Sequence, residues 1–568
     1  MIPSIQAVNK VDESRRNQRT LPGEVLLLGS SVISLIVSCI LWSSHKQAWM
    51  DEIFTWKEVS DPSLLHLYHA IQHGADGGMP IFYATAWLWA RCFGTGVLTL
   101  RLYSCVAMCG ALIVTWRTIR RFYGVWATAF GVLTMWGTSA LLLYQNAEAR
   151  YYGLYILAVA IAVNIYARLV LDDGLPGNWL LISTLLCQAS LVLIHVLGII
   201  YSGLILLAIV MFDIGRHQRR MRLYVCHMAG WLALLVWIPA IRASMASAKP
   251  HGWIGMPTVT NLLAAYLFQN SFVWMWLFRI QSHKALAMAV LCGAALVIFV
   301  PLTSVVLFCL RILPNSDQRD GSIPRNAILL VACLLLVAPI GLFALSHWLT
   351  PVFVPRYILP TAIGMAIVLA AFADALGSDG KQRTYRLPKQ LWVAIVLFLA
   401  LSPVISVLAL PPISMDTYYL DVKRLDETTP ANAVIVTNWV NDFTKVMRYS
   451  NNPQGRYYFL LDWSSAVEGA RGQVAEYHLM QAYRDSGYYA QNIVDARDFL
   501  CSHPDFLVLG TDKQNWFDVG IRKQPEFEWR VLNSFAAREV KRDLIAVHRK
   551  ATPGFCSQAK SSLIAEPD

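Results

Sequence analysis

Apolar windows of about 20 residues, each long enough to cross a bilayer core, follow one another along most of this chain. They lie near 24–42, 98–116, 124–143, 151–170, 178–194, 196–213, 222–243, 284–310, 327–349, 358–375 and 390–410, which makes about eleven spans. Only 15% of the 568 residues are charged, against about 25% in soluble domains. The chain therefore reads as a polytopic α-helical membrane protein. Its 20 Trp and 23 Tyr suit rings held at membrane–water interfaces. The net charge of +11 needs no nucleic acid, because Lys and Arg concentrate in the cytoplasmic loops of such proteins.

A shorter run, PIFYATAWLWA at 80–90, is too short to span, and charge decides its placement. With 80–90 lying along the surface and the basic tail 1–23 inside, TIRRFYG (118–124), DIGRHQRRMR (213–222), the segment 311–325 and GKQRTYRLPK (380–389) all fall inside. Each is rich in Lys and Arg, as the positive-inside rule requires. If 80–90 spanned, all would lie outside. The tail and first apolar run resemble the start of a signal peptide, yet the run is long enough to span and no A-x-A pattern follows.

The expected organisation is thus a cytoplasmic tail (1–23), a transmembrane domain (24–410) and an extracytoplasmic α/β domain (411–568). The transmembrane domain carries two long outer loops, 43–97 with juxtamembrane helices and 244–283, where the aromatic run 271–278 packs on the membrane surface. In 411–568, AVIVTNW (433–439), YYFLLD (457–462), FLVLG (506–510) and LIAVHR (544–549) read as strands, and NIVDARDFL (492–500) has helical spacing. All cysteines but Cys501 and Cys556 lie in or beside apolar segments. Those two could pair if their domain faces an oxidising compartment.

Sorting polar residues by side gathers an unusual set on the outer face. Asp51 and Glu52 close the first span in WMDEIFTW. YQNAEARYY (144–152) brings Glu148, Arg150, Tyr151 and Tyr152; His195 lies between two spans; VPRY brings Arg356 and Tyr357; Arg101 enters from the same face. Ionisable groups near a membrane are functional candidates by default, although one acid at a helix end is usually a solvated terminus. Taken together the set suits group transfer: a carboxylate takes a proton from an attacking hydroxyl, and guanidinium groups match the oxygens of a departing phosphate. His66, His69 and His73 have helical spacing with Asp76 close behind, and His69 and His73, at i and i+4, share a helix face and could bind a divalent metal. A surface helix with solvated histidines meets the same pattern, and no cofactor is firmly implied. A buried, hydrogen-bonded histidine is an equal reading of His195.

With these residues the chain resembles the GT-C glycosyltransferases, in the protein mannosyltransferase, aminoarabinose transferase and lipopolysaccharide-core (Rgt-type) branch. The resemblance is carried by Asp51-Glu52, Pro80 and Tyr83 leading to Phe93-Gly94, Leu100-Arg101-Leu102, Glu148-Ala149-Arg150-Tyr151-Tyr152, and Arg356-Tyr357. It implies a GT-C fold and an integral-membrane hexosyl- or pentosyltransferase of the inner membrane. The donor is a polyprenyl-phosphate sugar, and the acceptor an extracytoplasmic glycan, lipid or protein. It also implies inversion with Asp51 as base, Glu52 in support, and Arg150, Arg356 and, more weakly, Arg101 on the donor phosphate. Glu148, Tyr151, Tyr152, His195, Tyr357 and Tyr83 are then substrate contacts. One departure stands out: family members carry a double proline preceded by His or Lys where this chain has Gly77-Gly78-Met79-Pro80. His73 and Arg91 are the nearest basic substitutes. Two other readings are a transporter or flippase of lipid-linked glycans, which calls for broken helices at the midplane, and an inactive scaffold of the same fold.

Overall fold

The computed structural model describes residues 22–172, 175–247, 249, 252–270, 323–378, 389–409, 418–469, 473–511, 518–537, 540–551 and 556. The membrane part runs through α1 (Pro22–His45), α2 (Met50–Val59), α3 (Leu64–Gln72), α4 (Pro80–Phe93), α5 (Val97–Ile119), α6 (Val125–Thr138), α7 (Ala140–Asn146) and α8 (Tyr152–Leu171). It continues with α9 (Asn178–Ile194), α10 (Gly198–Gly215), α11 (Met221–Trp231), α12 (Ile238–Ala246), α13 (Val259–Asn270), α14 (Ile323–Trp348), α15 (Thr361–Ser378) and α16 (Lys389–Ala409). Seven helices among the described residues are long and apolar enough to cross a membrane, with α11 and α12 counted as one through a 3-10 turn, and α6 with α7 makes an eighth as a bent pair. This is a multi-pass membrane protein.

All the expected spans but one fall on described helices; the window 284–310, like the aromatic run 271–278, lies outside the described residues. Three windows differ in form from the simple expectation. The window 124–143 bends by 66° between α6 and α7, because Ser139 turns extended and its hydroxyl accepts the Leu142 amide at 3.1 Å, capping a new helix. The windows 178–194 and 358–375 are short: α9 has 17 residues, and the second window starts with a 3-10 turn at Pro355–Ile358 before α15. The segment 80–90 is helical within the 14-residue α4, entered through Pro80 in its first turn.

Packing between spans relies on close approach, since lipid gives no hydrophobic drive between helices. At Gly131 of α6 an added Cβ would stand 2.2 Å from the Ala366 carbonyl of α15. The basic ends of the helices meet at one end of the bundle. The Arg325 guanidinium lies 5.5 Å from the Tyr123 ring and pairs with Asp374 at 3.1 Å, so the loops after α5, before α14 and after α15 share one face.

The C-terminal region comprises α17 (Val422–Thr428), β1 (Ile435–Thr437), α18 (Val440–Tyr449), β2 (Tyr457–Leu461), α19 (Trp463–Glu468), α20 (Gln473–Asp485), β3 (Ile493–Asp495), α21 (Ala496–Ser502), β4 (Asp505–Thr511), β5 (Phe527–Ala537) and β6 (Val540–Arg549). One sheet runs in the order β3-β2-β1-β4-β6-β5, the first four strands parallel and the last two antiparallel. The stretch 492–500 is only partly helical: Ile493–Asp495 forms edge strand β3 and the helix starts at Ala496. Val436 and Val508 are fully buried at the centre of the sheet. Arg542 of β6 grips Asp442 of α18 with two hydrogen bonds of 2.7 and 2.8 Å, both side chains wholly buried. Cys501 and Cys556 form a disulfide.

This region sits on α2. The Met50 amide donates to Asn441 Oδ1 at 3.3 Å, the Ala48 amide donates to the Tyr449 hydroxyl at 3.0 Å, and the Arg448 guanidinium lies 4.3 Å from the Trp56 ring.

Candidate active site

Adjacent residues on a helix point about 100° apart, and α2 uses this to give Asp51 and Glu52 different surroundings. Glu52 turns inward. Both of its oxygens accept from Arg101, Nε to Oε1 and Nη2 to Oε2 at 2.7 Å each, and the Ala149 amide adds a bond of 2.9 Å. Its second oxygen also takes the Trp49 amide at 3.3 Å, the N-terminal return contact of a capping box. Burial opposes its ionisation, but Arg101 outweighs this and holds the carboxyl at about 2. Arg101 also donates to the Lys46 and Gln47 carbonyls. Four of the five N–H groups of this fully buried guanidinium are thus spent inside the protein, and with Glu52 it clamps the start of α2 to α5 and to the 147–151 loop.

Asp51 faces the other way, partly open, with 17% of its side chain exposed. Arg356 Nη2 lies 3.8 Å from its Oδ2, too far for a hydrogen bond and far enough for another acceptor to share the cation. Arg150 Nη1 donates to the Asp51 carbonyl at 3.3 Å, to Thr55 Oγ1 at 3.1 Å and to Asp76 Oδ2 at 2.8 Å. Burial raises the Asp51 carboxyl above its ordinary value; Arg150 and Arg356 pull the other way without cancelling it. That is the tuning a base needs to work near neutral pH.

The two arginines are poorly satisfied for buried cations. The Nε atoms of Arg150 and Arg356 are both buried without a hydrogen-bond partner among the described residues. Arg356 instead sits among rings, its guanidinium carbon 5.5 to 5.9 Å from the centres of Trp253, Trp49, Tyr152 and Tyr357. Aromatic faces attract a cation but leave its N–H donors unspent. An anion arriving here would meet two prepared guanidinium groups.

Behind them the chain places the other expected residues. His195 stacks on Tyr155 at 4.7 Å and lies 4.9 Å from Tyr357 and 5.0 Å from Tyr151. Its Nδ1 accepts the Leu197 amide, and burial lowers its pKa to about 3 with Arg356 and Arg150 adding repulsion. It is a neutral wall residue. Glu148 is buried beside Lys46, Nζ to Oε1 3.5 Å, with Oε2 unpartnered among the described residues; burial raises its carboxyl despite Lys46. Tyr83 is buried and donates to Asp76 Oδ2 at 2.5 Å. An added Cβ at Gly78 would stand 2.3 Å from the Tyr83 ring, so the Gly77-Gly78 departure makes room for this tyrosine.

Neither basic substitute enters the site. The Arg91 guanidinium donates to the Asp61 carbonyl and lies 4.7 Å from the Trp87 ring centre, while His73 is exposed with Nδ1 on the His69 carbonyl at 2.7 Å. No cluster of three or more His, Cys, Asp or Glu suited to a metal occurs among the described residues.

Glu58 is not marked by the sequence as a site residue, and Asp76 is marked only by its closeness to the histidines of a possible metal site. Glu58 lies two turns after Asp51, wholly buried, accepting the Tyr483 hydroxyl of α20 at 2.7 Å. Burial and then Asp76 push its carboxyl well above the ordinary range. In the folded state it keeps a proton that the unfolded chain sheds above about pH 4.3. The unfolded state then binds fewer protons, so this residue makes stability fall as pH rises. Glu58→Gln is expected to raise the thermal midpoint at pH 8 and to leave it nearly unchanged at pH 4. Equal shifts at both values would refute the protonated assignment.

The fold and site define a multi-pass membrane protein with a carboxylate–arginine cluster at one end of its bundle, against an α/β domain. No family model matches the chain, and no curated protein matches it. Among solved structures it is similar to ArnT from Cupriavidus metallidurans bound to undecaprenyl phosphate, at 10% identity over 92% of this chain and 97% of that one, with a TM-score of 0.48. It is likewise similar to the same protein in the apo state, at 10% identity over 91% and 98%, with a TM-score of 0.42.

Proposed function

We propose that this chain is an integral-membrane glycosyltransferase of GT-C type, moving a sugar from a polyprenyl-phosphate donor to an extracytoplasmic acceptor. The observation that carries the reading is the pairing at α2: a partly open Asp51 with a raised pKa, facing two arginines whose buried Nε donors have no partner among the described residues. The name of the structurally similar protein's ligand, undecaprenyl phosphate, agrees with such a donor. In the reaction, Asp51 takes the proton of the acceptor hydroxyl as its oxygen attacks the anomeric carbon. The bond from that carbon to the phosphate oxygen breaks with inversion, and Arg356 and Arg150 meet the charge left on the polyprenyl phosphate. The aromatic ring of residues around Arg356 excludes water from that charge.

The site lies at the end of the bundle away from the Arg325 and Tyr123 loops, which the positive-inside rule puts in the cytoplasm. The Cys501–Cys556 disulfide agrees with an oxidising, extracytoplasmic side for the C-terminal domain, and hence with an inner-membrane location. The bend between α6 and α7 and the 3-10 turn between α11 and α12 are features a transporter would share, but the charged groups of the site gather at helix ends.

Polyprenyl phosphate binding tests the donor side. Purified protein in nanodiscs is expected to bind it, and Arg356→Gln to weaken binding by about tenfold or more, the value of a lost charge-assisted hydrogen bond. Equal affinity of the variant would remove Arg356 from the phosphate site.

A further inference from the structure

A guanidinium beside a free carboxylate pairs with it, since charge-assisted hydrogen bonds are the strong ones. Arg150 does not pair with Asp51 in this way. Its Nη1 donates to the Asp51 backbone carbonyl and to Thr55 Oγ1, yet its one ion pair among the described residues is with Asp76, at 2.8 Å. The acid that claims Arg150 therefore comes from another segment, and the Asp51 side chain is left to face Arg356 across 3.8 Å.

Asp76 is firmly held for that task. Its side chain is only 11% exposed, and the Tyr83 hydroxyl donates to the same Oδ2 that Arg150 uses, at 2.5 Å. The segment that carries it is wedged between two helices. A Cβ added at Gly77 would stand 3.0 Å from Ser244 Oγ of α12, and one at Gly74 would stand 3.8 Å from the Ala482 Cβ of α20. The Trp237 indole donates to the Gly78 carbonyl at 3.2 Å, and Ala75 is fully buried. Burial opposes ionisation of Asp76, but Arg150 and then Tyr83 hold its carboxyl below the ordinary value. It carries its charge at neutral pH.

We propose that Asp76 is a positioning residue of the reaction: it grips Arg150 at Nη1 and so keeps that guanidinium off the Asp51 carboxylate. The inference rests on the role of base given to Asp51 above. The grip leaves the rest of the guanidinium for the departing phosphate, since Nε is buried without a partner and Nη2 makes no hydrogen bond among the described residues. The charged groups acting on Asp51 are Glu52 of α2, Asp76 from the segment before α4, Glu148 and Arg150 from the segment before α8, and Arg356 from the turn before α15. Glu52 and Glu148 are held by Arg101 and Lys46. Arg150 is thus the cation whose distance from Asp51 depends on a neighbouring acid.

The test needs no donor lipid, so its failure and that of the glycosyltransferase reading are told apart. Full-length protein in nanodiscs is treated with a carbodiimide, which reacts with protonated carboxyl groups, over a series of pH values, and labelling of Asp51 is read by peptide mass spectrometry. In Asp76→Leu, Arg150 turns to Asp51 and the labelling midpoint is expected to fall by about 1–3 pH units, the effect of an adjacent guanidinium on an Asp. Loss of the Asp76 charge alone would also lower it, so the substitution is repeated in an Arg150→Gln background, where the fall is expected to be less than half as large. Asp76→Asn keeps the shape of the side chain and is expected to shift the midpoint in the same direction by a smaller amount, which keeps the test open where Asp76→Leu does not fold. With a donor that the wild type uses, the acid limb of kcat/KM should move with the labelling midpoint. An ion pair that served the fold alone would reduce the number of active molecules and leave both midpoints in place. A midpoint unchanged in the folded variants, or an equal fall with and without Arg150, would overturn the proposal. The predicted shifts in a protein that turns over no polyprenyl-phosphate sugar would support the grip on Arg150 and sink the glycosyltransferase reading alone.

Discussion

Asp51→Asn is expected to lower sugar transfer by about 10²–10⁴-fold, the contribution of a positioned general base, while leaving polyprenyl phosphate binding and the thermal midpoint close to wild type. The separation follows from the geometry. Among the described residues no hydrogen bond of the Asp51 side chain builds the fold; its backbone carbonyl, which Arg150 and Thr55 use, survives the substitution. Asn keeps the shape and loses the ability to accept the acceptor's proton. A variant that transfers at the wild-type rate would remove Asp51 from the base's role. A variant that loses the lipid as well would mean that the carboxylate positions Arg356 instead, across the 3.8 Å between them.

The second large effect falls on the neighbouring acid and is structural. Arg101→Leu leaves the buried Glu52 carboxylate with the Ala149 and Trp49 amides and only the weaker pull of Lys46 in place of its bidentate partner. Breaking a buried pair from one side costs about 3–5 kcal/mol, which is a large share of a typical domain's stability. Unfolding in detergent is expected at a markedly lower temperature, with activity lost because α2 is no longer fixed to α5. The double variant Glu52→Leu/Arg101→Leu should recover most of the loss, since replacing both charges by packed apolar groups is often neutral. An Arg101→Leu protein as stable as wild type but deficient in lipid binding would return Arg101 to the donor phosphate.

These two predictions mark where the sequence was legible and where it was not. Span positions and the one-sided grouping of Asp51, Arg150 and Arg356 could be read because hydropathy and loop charge are local in the chain. The division of labour inside Asp51-Glu52 could not. Which acid turns inward depends on the roll of α2, and that is set by Arg101, 49 positions away. Glu58 was hidden for a related reason: its partner Tyr483 comes from the other domain, 425 positions on. Strand β5 has no run that the sequence pattern picks out, and the three residues of β3 carry too little alternation to stand apart from the helix that follows. The bend at Ser139 was legible in hindsight, as a capping residue inside an apolar run.

The measurement that bears most directly on the central claim is donor turnover by the purified wild type. A panel of polyprenyl-phosphate sugars is presented with glycan, lipid and protein acceptors, and the anomeric configuration of any product is read by NMR. The account predicts release of polyprenyl phosphate and a product of inverted configuration, both dependent on Asp51. Consumption of none of these lipids, together with movement of a lipid-linked glycan across liposomes that hold the protein, would contradict it.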